Sequence, residues 1–208
     1  MPSLPSRSLT WALKVAVIAI VLGLGNGHAE AATDVYKVDT GHSTLSFKIQ
    51  HLGVAYTYGR FNDFTGHFKF HPENPSGCAV EIDVDTSSID SNDEGRDKHL
   101  RSAEYFNCEK FPSMSFKSTK VEKVGNDYRV TGDLTILGKA KSVTIRMKKI
   151  GEGKDPWGNY RMGFDGSLTI KRSDWGMTTK VGKGIGDEVH LTLGIEGIKH
   201  DPNKKKKK

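Results

Sequence analysis

Apolar and polar residues alternate in short runs from residue 35 almost to the end of the chain. In the run 43–51, for example, Leu45, Phe47 and Ile49 are separated by polar residues. Similar alternation recurs in the runs 64–70, 78–86, 113–121, 128–137, 142–150, 160–170 and 189–195. Successive side chains of a strand point to opposite faces, so each run predicts a strand with one apolar face. The chain therefore predicts about eight consecutive strands, most of them joined by short turns.

One-sided alternation over so many consecutive strands is typical of an antiparallel meander. Closing the meander into a barrel removes its exposed edges, and a β-sandwich is the alternative. We predict an all-β fold: a closed antiparallel eight-stranded barrel with one short helix capping an end. The interior of such a barrel is either filled by side chains or just wide enough for one ligand.

The predicted inward face carries long apolar side chains, namely Phe47, Phe64, Phe68, Phe70, Phe116, Met147, Met162 and Phe164. Gly66 and Gly166 interrupt the same stripes, and a glycine inside a strand marks a bend or a close approach to the backbone. Such an interior is either an ordinary packed core or a lumen for a long apolar ligand. The pattern leaves both interpretations open.

The segment 91–112 departs from the alternation and predicts an amphipathic helix, with a cap from Asn92 or Asp93. One face of this helix would carry Arg96, His99, Leu100, Ala103 and Phe106, which recur at three- and four-residue steps. We expect the apolar members of this face to cover the open end of the barrel. The helix is then either a mobile lid or a fixed plug.

Residues 1–31 predict a secretory signal peptide, with Arg7 and Lys14 before an apolar run and Ala29-Glu30-Ala31 as the cleavage site. An N-terminal membrane anchor is the alternative. The expected organisation is a leader at 1–31, a barrel at 32–200 and a basic, disordered tail at 201–208. The mature protein is then periplasmic or secreted.

The formal net charge of +6 comes mostly from the two termini. The leader contributes Arg7, Lys14 and Glu30, and the tail contributes the run Lys204–Lys208, so the body between them is neutral. A neutral body argues against a nucleic-acid-binding domain. The tail offers peripheral contact with an anionic membrane surface as a second role. The sequence leaves a homodimer open.

Both cysteines, Cys78 and Cys108, belong to the exported part, which favours a disulfide. Antiparallel pairing across the helical segment would, however, place them about 25 Å apart. A disulfide needs Cα atoms within about 7 Å of each other. This distance argues against an intrachain disulfide, and the sequence leaves open whether the two thiols are free.

Several short motifs recur along the chain in a characteristic order and spacing. They are VDTGHS at 38–43, GRF at 59–61, FTG at 64–66, SID at 88–90, RDKHLRS at 96–102, FP at 111–112, GDLTI at 132–136 and RSDWGM at 172–177. Together they resemble the YceI-like family of exported, lipocalin-like proteins over nearly the whole mature chain. The resemblance implies a lipocalin-like barrel that holds a polyisoprenoid, such as a quinone precursor or a prenyl phosphate. It implies no catalytic apparatus.

Three polar residues are candidates for contact with a ligand head group. His42 either ties down a turn or lies at the barrel mouth. Arg96 either pairs with a nearby aspartate or, with His99, faces a phosphate or phenol group at the lumen entrance, where a guanidinium donates well. Trp175 is expected to plug one end of the barrel.

The sequence offers no catalytic or metal-binding constellation: it has no Gly-x-Ser-x-Gly and no Cys-x-x-Cys motif. His67 and His71 share a strand face but would lie about 13 Å apart, too far to bind one ion. We predict no metal and no cofactor. The leading hypothesis is an exported, non-enzymatic carrier or sequestering protein for a polyisoprenoid. The alternative is a structural or stress-related interaction protein with a fully packed core.

Overall fold

The computed structural model describes residues 33–200, which contain eleven β-strands and one α-helix. The strands are β1 (Asp34–Val38), β2 (Thr44–His51), β3 (Ala55–Phe61), β4 (Phe64–Phe70), β5 (Ala79–Asp85), β6 (Ile89–Asp90), β7 (Ser113–Val124), β8 (Asp127–Ile136), β9 (Lys139–Lys154), β10 (Tyr160–Lys171) and β11 (Ile185–Lys199). The helix α1 spans Glu94–Arg101. The predicted leader and tail lie outside the described residues. No helix between residues 33 and 200 has both the length and the apolar character to cross a membrane.

Eight of these strands form a closed ring. The order around the ring is β1, β4, β5, β7, β8, β9, β10 and β11, and β11 pairs back onto β1. Every pairing in the ring is antiparallel. The predicted closed, antiparallel, eight-stranded barrel is therefore confirmed, and the sandwich is not what forms.

The three remaining strands continue the wall at one end. β2 follows β1 along the same edge of β11, β3 leads into β4, and β6 follows β5. Short breaks at 39–43, 62–63 and 86–88 separate the members of each pair. The barrel thus consists of eight long strands, three of them kinked, which explains why the alternation predicts eight strands where eleven segments are found.

The helix, the turns and the loops between strands lie at two opposite ends of the barrel. The helix end carries α1, the β2–β3 hairpin, the turn at 137–138 and the loop 172–184. The far end carries the connection 71–78, the turn at 125–126 and the loop 155–159. Cys78 lies at the far end and Cys108 at the helix end, and both are free thiols, as the strand order predicts.

The helix is shorter than its apolar pattern predicts. Asp93 Oδ1 accepts a hydrogen bond of 2.7 Å from the Arg96 amide, which confirms Asp93 as the N-cap. The helix ends at Arg101 because Ser102 adopts extended backbone, and the residues up to 111 form turns. Phe106 therefore does not belong to the helix, yet it still packs edge-on against Phe61, with ring centroids 5.5 Å apart.

A cluster of ionised side chains ties the outer wall together. The Arg161 guanidinium donates 2.7 Å from Nε to Asp155 Oδ2 and 2.6 Å from Nη1 to Asp39 Oδ2, and it also contacts Glu196. These hydrogen bonds from Arg161 lower the pKa of the Asp39 carboxyl. One side chain thereby links the kink after β1, the loop before β10, and β11.

Candidate functional site

The barrel encloses a cavity of about 400 Å³. Side chains from most of the ring strands line it, together with β2, β3, α1 and the loop 172–184. Most of the lining residues are apolar. The volume lies within the range of roughly 300–1,000 Å³ that is usual for small-molecule sites in proteins.

Many inward-facing apolar side chains are only partly buried. Val143, Leu168, Val189, Leu191 and Leu193 all line the cavity, and each retains accessible surface. A fully buried core residue touches about 6–12 others, so partial exposure on an inner face means that neighbours are missing. The barrel interior is not a fully packed core.

The cavity extends along most of the barrel. On β11 its lining residues run from Ile185 to Ile195, which is roughly 33 Å along a strand at about 3.3 Å per residue. We call this space the channel. It suits one extended hydrocarbon chain better than a compact polycyclic molecule.

Aromatic rings fill the far end of the barrel. Phe70 packs edge-on against Tyr128 and Phe164, each at 5.1 Å between ring centroids, and Phe68 meets Phe164 at 5.6 Å. Tyr36 stacks on Phe68 at 4.9 Å. Such edge-to-face pairs add about 0.5–1.5 kcal/mol each beyond their buried area. Packed rings therefore line the channel at this end, together with Cys78 and Ala79.

Six of the eight predicted lumen residues line the channel, namely Phe47, Phe68, Phe70, Phe116, Met147 and Phe164. Phe64 and Met162 do not; both are buried in the core instead. Phe64 lies at the kink between β3 and β4, and Met162 lies beside the far-end rings, where neighbouring side chains already fill the space. Whether any of these residues contacts a ligand stays a prediction.

Two glycines make room for long side chains on neighbouring strands. A Cβ at Gly166 would collide with the Met147 sulfur, and one at Gly59 would collide with the Phe47 ring. Each pair is directly opposite in the strand register. The close approach predicted at Gly166 is therefore made by a side chain, which lies over the strand and leaves the channel open.

Arg96 and His99 lie on α1 and line the channel at the helix end. Arg96 Nε donates 2.7 Å to Ser91 Oγ, and Arg96 Nη2 donates to the Ser91 carbonyl. His99 Nε2 lies 3.0 Å from Glu104 Oε2, and its ring packs edge-on against Tyr105. The expected pairing of Arg96 with an aspartate is wrong, because Ser91 stands between Arg96 and Asp97.

Asp97 holds the start of α1 against β6. It is buried, and its Oδ1 accepts hydrogen bonds from the Ser91 amide at 2.9 Å and from the Ser91 hydroxyl. We expect Asp97→Ala to lower the free energy of unfolding by about 1–3 kcal/mol, because the buried Ser91 donors lose their acceptor. Chemical denaturation measures the loss.

Glu94→Ala is the matched control for Asp97→Ala, since Glu94 is an exposed acidic residue of the same helix. We expect its effect to stay within about 0.5 kcal/mol, as for most surface substitutions. Equal losses in the two variants would contradict the role assigned to Asp97.

His42 does not lie at the barrel mouth. It sits in the kink after β1, partway along the wall, and it is absent from the channel lining. Its side chain is 63% exposed, and Nδ1 lies 3.0 Å from Asp39 Oδ2. The position at the barrel mouth predicted for His42 is wrong. β1 is followed by a kink within the wall, after which β2 continues along the same edge, and not by an end of the barrel.

Asp39, His42 and Glu196 place three potential metal ligands within 4.8 Å of one another in the described part of the chain. Arg161 Nη1 already contacts both carboxylates of this group. The guanidinium supplies the positive charge that an ion would bring, so these residues give no support to a metal site.

Residues 172–175 form a short 3₁₀ turn that closes part of the helix end. Trp175 is 2% exposed, and its indole Nε1 donates 3.1 Å to the Leu134 carbonyl, which confirms the predicted plug. Arg172, which the sequence reasoning missed, is 4% exposed and also lines the channel. The sequence feature that could have pointed to Arg172 is its position directly after the apolar stripe of β10.

Comparisons with known proteins agree with this architecture. The family model described as YceI-like domain matches residues 36–197. A UPF0312 protein of Pseudomonas aeruginosa is 45% identical over 192 residues, which are 90% of this chain and 99% of the relative. BcnA of Burkholderia cenocepacia has a similar structure, with a TM-score of 0.70 and 29% identity over 76% of this chain and 98% of BcnA. A polyisoprenoid binding domain from Saccharophagus degradans shares the fold at 14% identity, with a TM-score of 0.61 over 79% of this chain and 98% of that domain.

Proposed function

The chain belongs to the YceI-like family, and from that premise we propose that it is a non-enzymatic carrier or sequestering protein for one polyisoprenoid lipid. The ligand is an amphiphile such as a quinone precursor or a prenyl phosphate. Its chain occupies the channel, and its polar head stays at the helix end. On the basis of the predicted leader, the proposal includes a location in the periplasm or outside the cell.

The observation that carries this proposal is the shape and chemistry of the channel. It is mostly apolar, lined by packed rings at its far end, and lined elsewhere by leucines and valines that retain accessible surface. Burying apolar surface yields about 25 cal/mol per Å². A single isoprenoid chain supplies that surface along the whole channel, and its methyl branches fill the uneven width between opposite strands.

The two ends of the channel give the ligand a direction. Phe70, Tyr128 and Phe164 form a cluster of packed aromatic rings at the far end. Arg96 and His99 at the helix end are exposed and carry hydrogen-bond donors. A polar head loses less hydration at the helix end, so the lipid enters with its tail first. The ligand class named for the Saccharophagus degradans domain agrees with this proposal.

The direct test is to extract purified protein with organic solvent and identify bound lipid by mass spectrometry. We expect a polyisoprenoid in roughly stoichiometric amount. After delipidation, a C20 isoprenoid alcohol at 100 times its Kd should stabilise the protein by about 2.7 kcal/mol. That corresponds to a rise in Tm of about 5–10 °C for a domain of this size.

The proposed function would be contradicted by protein that carries no lipid and whose Tm does not respond to the C20 alcohol. A matched straight-chain C16 alcohol serves as the comparison. We expect weaker stabilisation from it, because an unbranched chain leaves more of the channel wall without contacts.

A further inference from the structure

We propose that Arg172 is the anchor for an anionic oxygen head, a phosphate or a diphosphate, on the lipid that occupies the channel. This inference rests on the proposed function, which it deepens by selecting an anionic head group over a neutral one. The residue lies in the 3₁₀ turn at 172–175, at the helix end of the channel, where the head group is expected.

The guanidinium of Arg172 is buried with part of its hydrogen-bonding capacity unused. Nε donates 2.8 Å to the Gly186 carbonyl, and Nη1 donates 3.0 Å to the Met177 carbonyl. Nη2 has no hydrogen-bond partner among residues 33–200. Leaving a buried charged donor unpaired is costly, so such groups are normally paired or reserved for a ligand.

The positive charge of Arg172 also lacks a directly bonded counter-charge. Within the described residues its hydrogen bonds go to backbone carbonyls, and the nearby Asp187 carboxylate accepts instead from Ser173. Burial lowers the pKa of the Arg172 guanidinium, which reflects the cost of holding this charge away from water. An anionic ligand oxygen would offset that cost.

The channel lining contains basic side chains but no carboxylates. Among the described residues the basic ones are His51, Lys69, Arg96, His99, Arg172 and Lys180, and no aspartate or glutamate lines the channel. Lys69 alternates with the inward-facing Phe68 and Phe70, so its side chain points outwards. The other five belong to the helix end. The barrel body is neutral as a whole, so this basic group is a local feature of the channel entrance.

Guanidinium chemistry favours a phosphate here over a neutral hydroxyl or phenol. Arginine presents planar, paired N–H groups that match the oxygens of a phosphate. Charge-assisted hydrogen bonds of this kind are shorter and stronger than those between neutral groups. The surrounding apolar wall strengthens them further, because water cannot compete for the donors.

The test compares delipidated wild-type protein with Arg172→Gln and Arg172→Lys by calorimetric titration with a C20 isoprenoid alcohol and with its monophosphate. We expect the wild type to bind the monophosphate about 10–100-fold more tightly than the alcohol, the effect of one charged hydrogen-bonding pair. Arg172→Gln should lose most of that preference while its affinity for the alcohol stays within about threefold of the wild type. Arg172→Lys should keep part of the preference.

Two controls separate the outcomes. Arg146→Gln removes an arginine from the outer wall, 82% exposed, and should leave both affinities unchanged. Inorganic phosphate alone should produce no measurable binding, since it brings no apolar chain; phosphate binding as tight as that of the monophosphate would overturn the assignment to a lipid head. The wild-type preference is measured without any variant, so the proposal remains testable if Arg172→Gln does not fold.

Equal wild-type affinity for the alcohol and the monophosphate would overturn the role of Arg172 and leave the proposed function standing. A variant Arg172→Gln that keeps the full preference would do the same. Binding of neither lipid by the wild type would overturn the proposed function and this inference together.

Discussion

A Leu193→Trp variant is expected to lose at least about 100-fold in affinity for a C20 isoprenoid, because the indole would fill the width of the channel. Leu193 faces the channel and is only partly buried. It stands opposite Leu45 on β2 and Gly166 on β10 in the strand register. The ring would therefore enter the channel, across the path proposed for the lipid tail.

The same substitution should leave the barrel folded. Overpacking costs about 1–3 kcal/mol in a filled core, but here the added atoms enter a cavity, so we expect a smaller loss or a gain in stability. Thr192→Trp is the matched control, since Thr192 is the exposed neighbour on the opposite face of β11. Calorimetric titration and thermal denaturation measure the two properties separately. Undiminished lipid binding by Leu193→Trp would show that the ligand lies elsewhere.

An Arg161→Leu variant is expected to lose about 3 kcal/mol of folding free energy. The side chain is only 19% exposed, and it is the shared partner of Asp39, Asp155 and Glu196. Its removal leaves like charges facing one another on the wall. The loss corresponds to a fall in Tm of about 6–12 °C for a domain of this size.

Arg161 should also shape the acid stability of the protein. A hydrogen bond from Arg161 lowers the pKa of the Asp39 carboxyl. At Asp155, burial alone would raise the pKa of the carboxyl, but hydrogen bonds from Arg161 and Asn159 outweigh burial and lower that pKa. Below the ordinary aspartate pKa of 3.8 the unfolded chain therefore binds more protons than the folded one. Stability should fall as the pH drops below about 4, and it should fall less steeply in Arg161→Leu.

Arg146→Leu is the comparison for Arg161→Leu, because Arg146 pairs with Asp127 on the outer surface and is 82% exposed. We expect a change of at most about 0.5–1 kcal/mol from it, as for exposed ion pairs generally. Urea denaturation at pH 3, 4, 5 and 7 tests both expectations. Equal pH slopes for wild type and Arg161→Leu would contradict the assignment to Arg161.

The alternation of apolar and polar residues along the strands predicts most of the fold. A period of two assigns each residue to a face, so the inward stripe holding Phe47, Phe116 and Met147 follows directly from the alternation. The kinks do not follow from it, because a strand that breaks and resumes on the same edge keeps its pattern. That is why the pattern leaves His42 either in a turn or at the barrel mouth, whereas the structure places it in a turn within the wall, 3.0 Å from Asp39.

The helix end was harder to predict from sequence. Leu100 and Phe106 do line the channel, but Phe106 reaches it from a turn rather than from the helix. Arg172 gave almost no signal, since its burial depends on carbonyls of Gly186 and Met177 that only the folded loop brings together. The local sequence pattern predicts on which face of a strand a side chain lies. The burial of a polar side chain depends instead on contacts between segments that are distant in the sequence.

In the proposed tail-first orientation, the ring cluster at the far end imposes an order on lipid exchange. The tail would enter first and leave last, so a membrane or protein that received the lipid would meet its head group at the helix end. Release then requires no change at the ring cluster of Phe70, Tyr128 and Phe164. The depth of the channel also sets how many isoprene units are shielded from water. Units beyond that depth remain outside, where a recipient can capture them before the lipid has fully left.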